Sequence, residues 1–321
     1  MEPIVSIKGL TKDYDVGFWK KRKVRALDEL TLDVAPGQIF GFLGGNGAGK
    51  TTTIKILMSL LYATSGSATI LGHPISDTAM HRRIGYCPEN PYFYDYLTAN
   101  ELLNYFGEIF GLSAADRGER TDELLTAVGL DRRDRNKQLR KFSKGMLQRV
   151  GLAQALVNRP EIVFLDEPMS GLDPVGRREV RELIAGLQNQ GTTVFMSTHI
   201  LSDVEALCTN VAILRRGRLA ATGRLEDLLA DESGAGHYEI SLSGVDAGPM
   251  RKALDGKRFL EIHEKPNGAS VSVSSESDIE PILAAARSAN GRLVSVNPIK
   301  RSLEELFVES STEERSAESG K

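Results

Sequence analysis

The stretch Gly44-Gly45-Asn46-Gly47-Ala48-Gly49-Lys50-Thr51 has the form G-x-x-x-x-G-K-[ST], and the reading of the fold starts from it. In such a loop the glycines let the backbone curl until consecutive N–H groups point inward around an anion. Its flanks suit that role. The apolar run at 39–43 reads as a buried strand, and residues 52–58 have the apolar spacing of a helix. A helix N-terminus behind the loop adds a positive dipole end, Lys50 reaches terminal phosphates, and the Thr51 hydroxyl can ligate magnesium. Gly44, Gly45, Asn46, Gly47, Ala48, Gly49, Lys50, Thr51 and Thr52 are therefore the candidate phosphate-binding residues. The implied ligand is a nucleoside triphosphate with Mg2+.

Working outward, residues 162–165 form a second buried apolar run that ends in Asp166-Glu167-Pro168. Residues 175–188 read as a charged amphipathic helix, 192–197 as a strand, and His199 stands just beyond that strand's end. Strands alternating with helices predict a parallel sheet whose ligands gather at the strands' carboxyl ends. Gly44, Asp166 and His199 all fall there. Asp166 is placed to reach the magnesium, and Glu167 to orient and polarise a water beside the terminal phosphate.

On the N-terminal side, strands are predicted at 4–8 and 30–34. Between them lies Gly17-Phe18-Trp19-Lys20-Lys21-Arg22-Lys23-Val24-Arg25, which holds the only tryptophan of the chain. Two readings stand for it, a solvated hairpin tip or a contact with anionic headgroups. Strands are predicted at 68–72 and 83–86. A run of aromatics then begins at Tyr86 and continues through Tyr92, Phe93, Tyr94 and Tyr96 to Tyr105, Phe106 and Phe110. Helices at 98–110 and 116–128, and one running through 150–157, predict a helical insert at about 90–160 between the phosphate loop and the next strand.

Beyond residues 224–229 the texture changes, and residues 231–236 read as a linker. The remainder reads strand 238–242, helix near 250–254, strand 259–263, strand 269–273, helix 278–289, strand 293–296 and helix 303–308, which is the order of a split βαβ fold. Residues 311–321 are polar and read as disordered. The chain of 321 residues suits two domains at roughly 100–200 residues each. A net charge of −3 argues against bulk nucleic-acid binding. Cys87 and Cys208 are far apart and outside any C-x-x-C spacing, which speaks against a disulfide framework or a zinc site. No run approaches the ~18 apolar residues of a membrane span, and no leader pattern opens the chain.

Three more segments make the phosphate loop specific: Phe142-Ser143-Lys144-Gly145-Met146-Leu147-Gln148-Arg149 at the start of a helix, Ser170-Gly171-Leu172-Asp173-Pro174, and His199. With the phosphate loop and Asp166-Glu167 they resemble, in order, the motifs of the ATPase subunit of ABC transporters: Walker A, signature, Walker B, D-loop and switch histidine. The resemblance covers about residues 4–230. It implies an α/β P-loop NTPase cassette of ABC type with a helical insert, spanning 1–230. A small α+β, ferredoxin-like accessory domain at 237–310 follows; Ser302-Leu303-Glu304-Glu305-Leu306-Phe307 resembles the end of that domain in export-type members.

Several functional expectations come with the resemblance. The ligands are ATP and Mg2+, and the activity is ATP hydrolysis coupled to transport, with export the expected direction. Catalysis falls to Glu167 and His199, and the metal to Thr51, Asp166 and Glu89. Tyr14 falls where the family stacks an aromatic on adenine. Ser143 and the Gly145 N–H would hold the γ-phosphate of a second subunit's ATP in a head-to-tail dimer, and Asp173 of the D-loop is a further candidate ATP-binding residue. Integral membrane permease subunits are the implied partners, and nucleic acid is not among them. The location would be cytoplasmic, peripheral at the inner face of the cell membrane. The rival class is a soluble ABC ATPase of translation, DNA repair or chromosome structure; translation-type members usually carry two cassettes in one chain and chromosome-type members insert long coiled coils, and neither pattern is seen in this sequence. A P-loop kinase would not need the signature, D-loop and histidine.

The chain departs from the family pattern at named positions. Gly45 stands where proline is usual, and Lys144 and Met146 replace a glycine and a glutamine of the signature. Glu89 occupies the place of the Q-loop glutamine, either as a metal ligand or as a polar link to the permease. The adjoining Pro91-Tyr92-Phe93-Tyr94-Asp95-Tyr96 has two readings, a permease-docking surface or the insert's own small core.

Overall fold

The computed structural model describes residues 2–17, 22–229, 237–254, 259 and 261–299. The expectations for 18–21, the 231–236 linker, the helix at 303–308 and the tail at 311–321 lie outside the described residues. Contacts divide the chain into two units, Met1–Leu225 and Glu226–Lys321.

The first unit opens with β1 (Val5–Val16) and β2 (Arg22–Val34), an antiparallel pair registered from Val5↔Val34 to Val16↔Arg22. The ladder is far longer than the strands predicted at 4–8 and 30–34. Its distal half is polar and is held by charge rather than by apolar alternation. Arg25 bonds Asp13 at 2.8 Å and Asp28 at 2.9 Å, and Arg218 bonds Asp28 at 2.6 Å. Arg218 and then Arg25 hold the Asp28 carboxyl below its ordinary range.

The chain continues through β3 (Ile39–Leu43), α1 (Lys50–Leu57), β4 (Ser65–Ile70), β5 (His73–Pro74) and β6 (Ile84–Cys87). The insert follows as α2 (Ala99–Ile109), α3 (Ala114–Ala127) and α4 (Lys144–Ala155). The unit closes with β7 (Ile162–Asp166), α5 (Pro174–Asn189), β8 (Thr193–Thr198), α6 (Leu201–Leu207), β9 (Asn210–Arg215), β10 (Arg218–Arg224) and α7 (Leu225–Leu229), the last of which crosses into the second unit. α6, β9 and β10 were not predicted. β10 returns antiparallel to β9 through Arg216 and Gly217, both at positive φ.

Two sheets result, an antiparallel one ordered β2-β1-β4-β5 and a six-stranded one ordered β10-β9-β3-β8-β7-β6, parallel except for β10. α1 touches β7 of one sheet and β2 and β4 of the other, so Ile54, Ile56 and Leu57 fill the layer between them. At its centre Phe195 lies 5.2 Å from Phe42 and 5.3 Å from Phe164, centroid to centroid, on three adjacent strands. All three rings are fully buried, and burying one such side chain contributes about 2–3 kcal/mol. α5 and α6 cover β3 and β8. In the insert α2 carries a Thr98/Glu101 capping box, while Ser113 and Ser143 cap α3 and α4. The parallel strands end at one edge of the sheet. β3, β6, β7 and β8 deliver to that edge the phosphate loop, Glu89, Asp166-Glu167 and His199.

The second unit is β11 (His237–Ser243), α8 (Ala247–Ala253), β12 (Glu261–Lys265), β13 (Gly268–Val273), α9 (Ile279–Ser288) and β14 (Arg292–Ile299). Its antiparallel sheet is ordered β12-β13-β11-β14, the ferredoxin-like arrangement of a split βαβ fold. Ile240, Val271, Val273, Met250 and Ile282 form its core. The strand predicted at 259–263 sits two residues later. Its register closes Lys265↔Gly268 over the tight turn Pro266-Asn267, which fixes where β12 ends.

Candidate functional site

The phosphate loop takes its shape from two glycines that no other residue could replace. Gly49 has φ +109°, and a Cβ there would stand 2.7 Å from the Ala26 carbonyl oxygen; a Cβ on Gly44 would stand 2.7 Å from the Leu214 carbonyl oxygen. Gly45 has open space around its Cβ position, so the family's proline is not excluded there by crowding. The loop ends in α1, with Gly49 as its N-cap and no acidic residue in the first turn. That leaves the helix's positive end unneutralised by its own side chains.

Lys50 is buried. Its ammonium donates to the Gly44 carbonyl at 2.7 Å and stands 3.3 Å from Glu167 Oε1. The other Glu167 oxygen, Oε2, is 2.9 Å from His199 Nδ1. Glu167 holds the left-handed backbone at φ +50°, uncommon for a residue with a side chain. Its N–H donates to both the Ser197 carbonyl at 3.2 Å and the Ser197 hydroxyl at 3.1 Å. Asp166 is 1 % exposed; its Oδ1 accepts from Ser197 Oγ at 2.5 Å, while Oδ2 is buried with no hydrogen-bond partner among the described residues. Burial, and then the Asp166 charge, push Cys87 and Tyr86 up to about 12, so both stay protonated beside it at neutral pH.

Gly45, Asn46, Gly47, Ala48, Gly49, Lys50, Thr51 and Thr52 line one cavity of about 320 Å3 together with Glu89, Glu167 and His199. Gly44 and Asp166 lie behind this wall. Tyr14 is outside it, with the Lys12 ammonium 5.2 Å from its ring centroid. Ser143, Gly145 and Asp173 are not brought to that cavity. They line another of about 460 Å3 with Lys144, Met146, Arg149, Gly171 and Leu172. There Ser143 Oγ caps α4 by accepting the Met146 N–H at 3.3 Å, and Asp173 caps α5 by accepting the Gly176 N–H at 2.8 Å.

Sequence reasoning missed Ala26, which lines the first cavity, and Ser197, which lies behind it. No spacing within its own strand marks Ser197; what brings it to the site is its pairing with Asp166 across the β7–β8 ladder.

A glycine phosphate loop opening a helix, with an apolar strand delivering Asp166-Glu167 beside it, defines a P-loop nucleoside triphosphatase. The sequence model described as ABC transporter matches residues 27–170. An uncharacterised ABC transporter ATP-binding protein of Synechocystis is 44 % identical over 95 % of this chain and 84 % of its own length. The bacitracin transport ATP-binding protein of Bacillus licheniformis is 42 % identical over 68 % of this chain and 69 % of its own. A solved dimeric ATP-binding cassette, in a post-hydrolysis state with ADP and phosphate, superposes with a TM-score of 0.64 at 27 % identity, covering 69 % of this chain and 98 % of that one. The chain belongs to the ABC transporter ATP-binding proteins and is an ATPase of that family.

The two glycine environments separate shape from chemistry. Gly49→Ala forces a side chain against backbone and into a left-handed conformation that costs about 1–2 kcal/mol before any clash. It is expected to lower the melting temperature and to weaken binding of a fluorescent ATP analogue at least tenfold. Gly45→Ala is expected to leave both within error. Equal effects of the two substitutions would contradict the loop geometry.

Proposed function

We propose that this chain is the motor of an ABC exporter, working as a head-to-tail dimer against a separate membrane permease. The observation that carries the reading is the separation of the two cavities. A single chain has Lys50, Glu167 and His199 around one, and Ser143, Gly145 and Asp173 around the other. Two copies arranged head to tail would close each phosphate cavity with the partner's signature. The relatives' names support transport as the task and export as its direction: one is a bacitracin transport protein, another a Nod factor export protein of Cupriavidus metallidurans. Among the described residues no helix is long and apolar enough to cross a membrane, so the reading assigns the membrane path to a partner and this chain to the inner face.

The residues fit Mg2+. Asp166 offers a buried oxygen without a partner, and Thr51 and Glu89 line the adjoining cavity. Bound there, the ion would neutralise charge on the β- and γ-phosphates. In this reading Lys50 leaves the Gly44 carbonyl and Glu167 for the phosphates, and the loop N–H groups hold their oxygens. Glu167, released from Lys50 but still beside His199, orients a water toward the γ-phosphorus and accepts its proton as the new O–P bond forms and the bond from the γ-phosphorus to the β–γ bridging oxygen breaks, leaving ADP and inorganic phosphate. His199 steadies that carboxylate. Tyr14 would stack on the adenine, and the partner's Ser143 and Gly145 N–H would hold the γ-phosphate.

The permease would dock beside Glu89. Tyr92 is 96 % exposed, and Tyr94 and Tyr96 stand 57 % and 60 % exposed, which favours an interface over the insert's own core. Near them Leu60, Tyr86, Pro88 and Phe110 line a mainly apolar groove of about 360 Å3. Exposed aromatics beside such a groove suit a partner's helix, because they bury large area with few rotors.

Two outcomes test these assignments. Lys50→Ala is expected to lose ATP binding, whereas Glu167→Gln keeps it, hydrolyses at least a hundredfold more slowly and accumulates as an ATP-bound dimer in size-exclusion chromatography. Equal loss of binding in both, or a monomeric ATP-loaded Glu167→Gln, would count against the reading. For docking, replacing Tyr92 and Tyr94 by serine is expected to leave the melting temperature unchanged and to cost the permease complex about 2–4 kcal/mol, more than tenfold in affinity. A large fall in melting temperature would return these rings to the core.

A further inference from the structure

Ser197 is fully buried and belongs to none of the motifs that mark the family, yet it touches both acidic residues at the end of β7. The contact follows from register. β7 and β8 run parallel with Asp166 paired to Ser197, and neighbours paired across a ladder point to the same side of the sheet. A hydroxyl has one proton and two lone pairs. Here the proton goes to Asp166 Oδ1 at 2.5 Å, and a lone pair receives the Glu167 N–H at 3.1 Å. The Ser197 carbonyl takes the same N–H at 3.2 Å. A serine serving only its own strand would bond within that strand; this one spends its hydroxyl on the neighbouring strand's last residue and on the peptide that leaves it.

We infer that Ser197 is the positioning residue of the hydrolytic centre, selecting which Asp166 oxygen is left for the metal and holding Glu167 in its left-handed conformation. Asp166 Oδ2 is buried and has no hydrogen bond, while Oδ1 is engaged. Without the hydroxyl both oxygens lack a donor, and the carboxylate can rotate between them. Glu167 stands at φ +50°, a conformation that costs energy and persists only where its surroundings hold it. The hydroxyl and the carbonyl of one residue grip its N–H together. Ser197 thereby sets the spacing between the metal-side oxygen and the carboxylate that faces the water. This inference rests on the reading of Asp166 as a metal ligand and of Glu167 as the water-orienting group.

The experiment compares the full chain with Ser197→Ala, Ser197→Cys and Asp166→Asn. Mn2+ binding to the ATP-loaded protein is followed by electron paramagnetic resonance, together with binding of a fluorescent ATP analogue in EDTA, kcat, KM and the melting temperature. For Ser197→Ala the account expects Mn2+ affinity and kcat each about 10- to 100-fold lower, the range for losing a hydrogen bond to a charged group, with metal-free nucleotide binding unchanged. Should that variant melt several degrees lower, Ser197→Cys carries the comparison. It fills the space with a weaker donor, and a loss of at least threefold in Mn2+ affinity is expected. Wild-type Mn2+ affinity and kcat in the serine variants, with Asp166→Asn losing the metal, would overturn the assignment of Ser197 alone. Wild-type Mn2+ affinity in Asp166→Asn as well would overturn the metal reading and this inference with it.

Discussion

A buried ion pair organises the site. The Lys50 ammonium and the Glu167 carboxylate stand 3.3 Å apart with side chains only 7 % and 8 % exposed. Withdrawing two charges from water costs several kcal/mol per ion, and their mutual attraction offsets this only when further hydrogen bonds satisfy the remaining donors and lone pairs. In this chain Lys50 finds the Gly44 carbonyl and Glu167 finds His199. The pair thus lies beside a glycine loop that leads into the N-terminus of α1, where no acidic residue stands in the first turn. In the proposed mechanism a phosphate that takes Lys50 would free Glu167 at the same moment, so that binding would also arm the carboxylate.

The frame that makes this possible is the shared edge of the parallel strands. Because β3, β7 and β8 are registered side by side, their ends place the loop, Asp166-Glu167 and His199 within hydrogen-bonding reach. The three phenylalanines of those strands, packed ring against tilted ring, lie behind the site and hold the register. A shift of one residue would turn Ser197 away from Asp166 and every buried ring toward the opposite layer. Core packing and site geometry therefore depend on the same ladder.

Much of this was legible in the residues. Apolar runs at 39–43, 162–165 and 192–197 mark the central strands, and the loop's spacing marks the phosphate-binding residues. The expected ferredoxin-like order of the C-terminal unit is also the observed one. What stayed hidden was held by interactions that leave no apolar period. The outer half of β1 and β2 rests on Arg25 and Arg218 bridging Asp13 and Asp28, and reads as loop to any hydrophobic pattern. β9 and β10 went unread although β9 lies buried beside β3. Ser197 is a single hydroxyl whose meaning depends on cross-strand register, which spacing along one strand does not reveal. Nor does the sequence disclose that Glu167 takes a left-handed backbone.

The central claim is that one chain carries two halves of different ATP sites, and complementation between inactive chains tests it most directly. Lys50→Ala spoils the phosphate cavity and leaves the signature cavity intact; Ser143→Arg does the reverse. Each alone is expected to hydrolyse ATP at no more than a few per cent of the parent rate. Mixed, they form dimers with one intact composite site, and the account predicts that phosphate release recovers with a second-order dependence on protein concentration. No recovery on mixing, or hydrolysis by the parent chain at a specific rate independent of concentration down to where it is wholly monomeric, would contradict it.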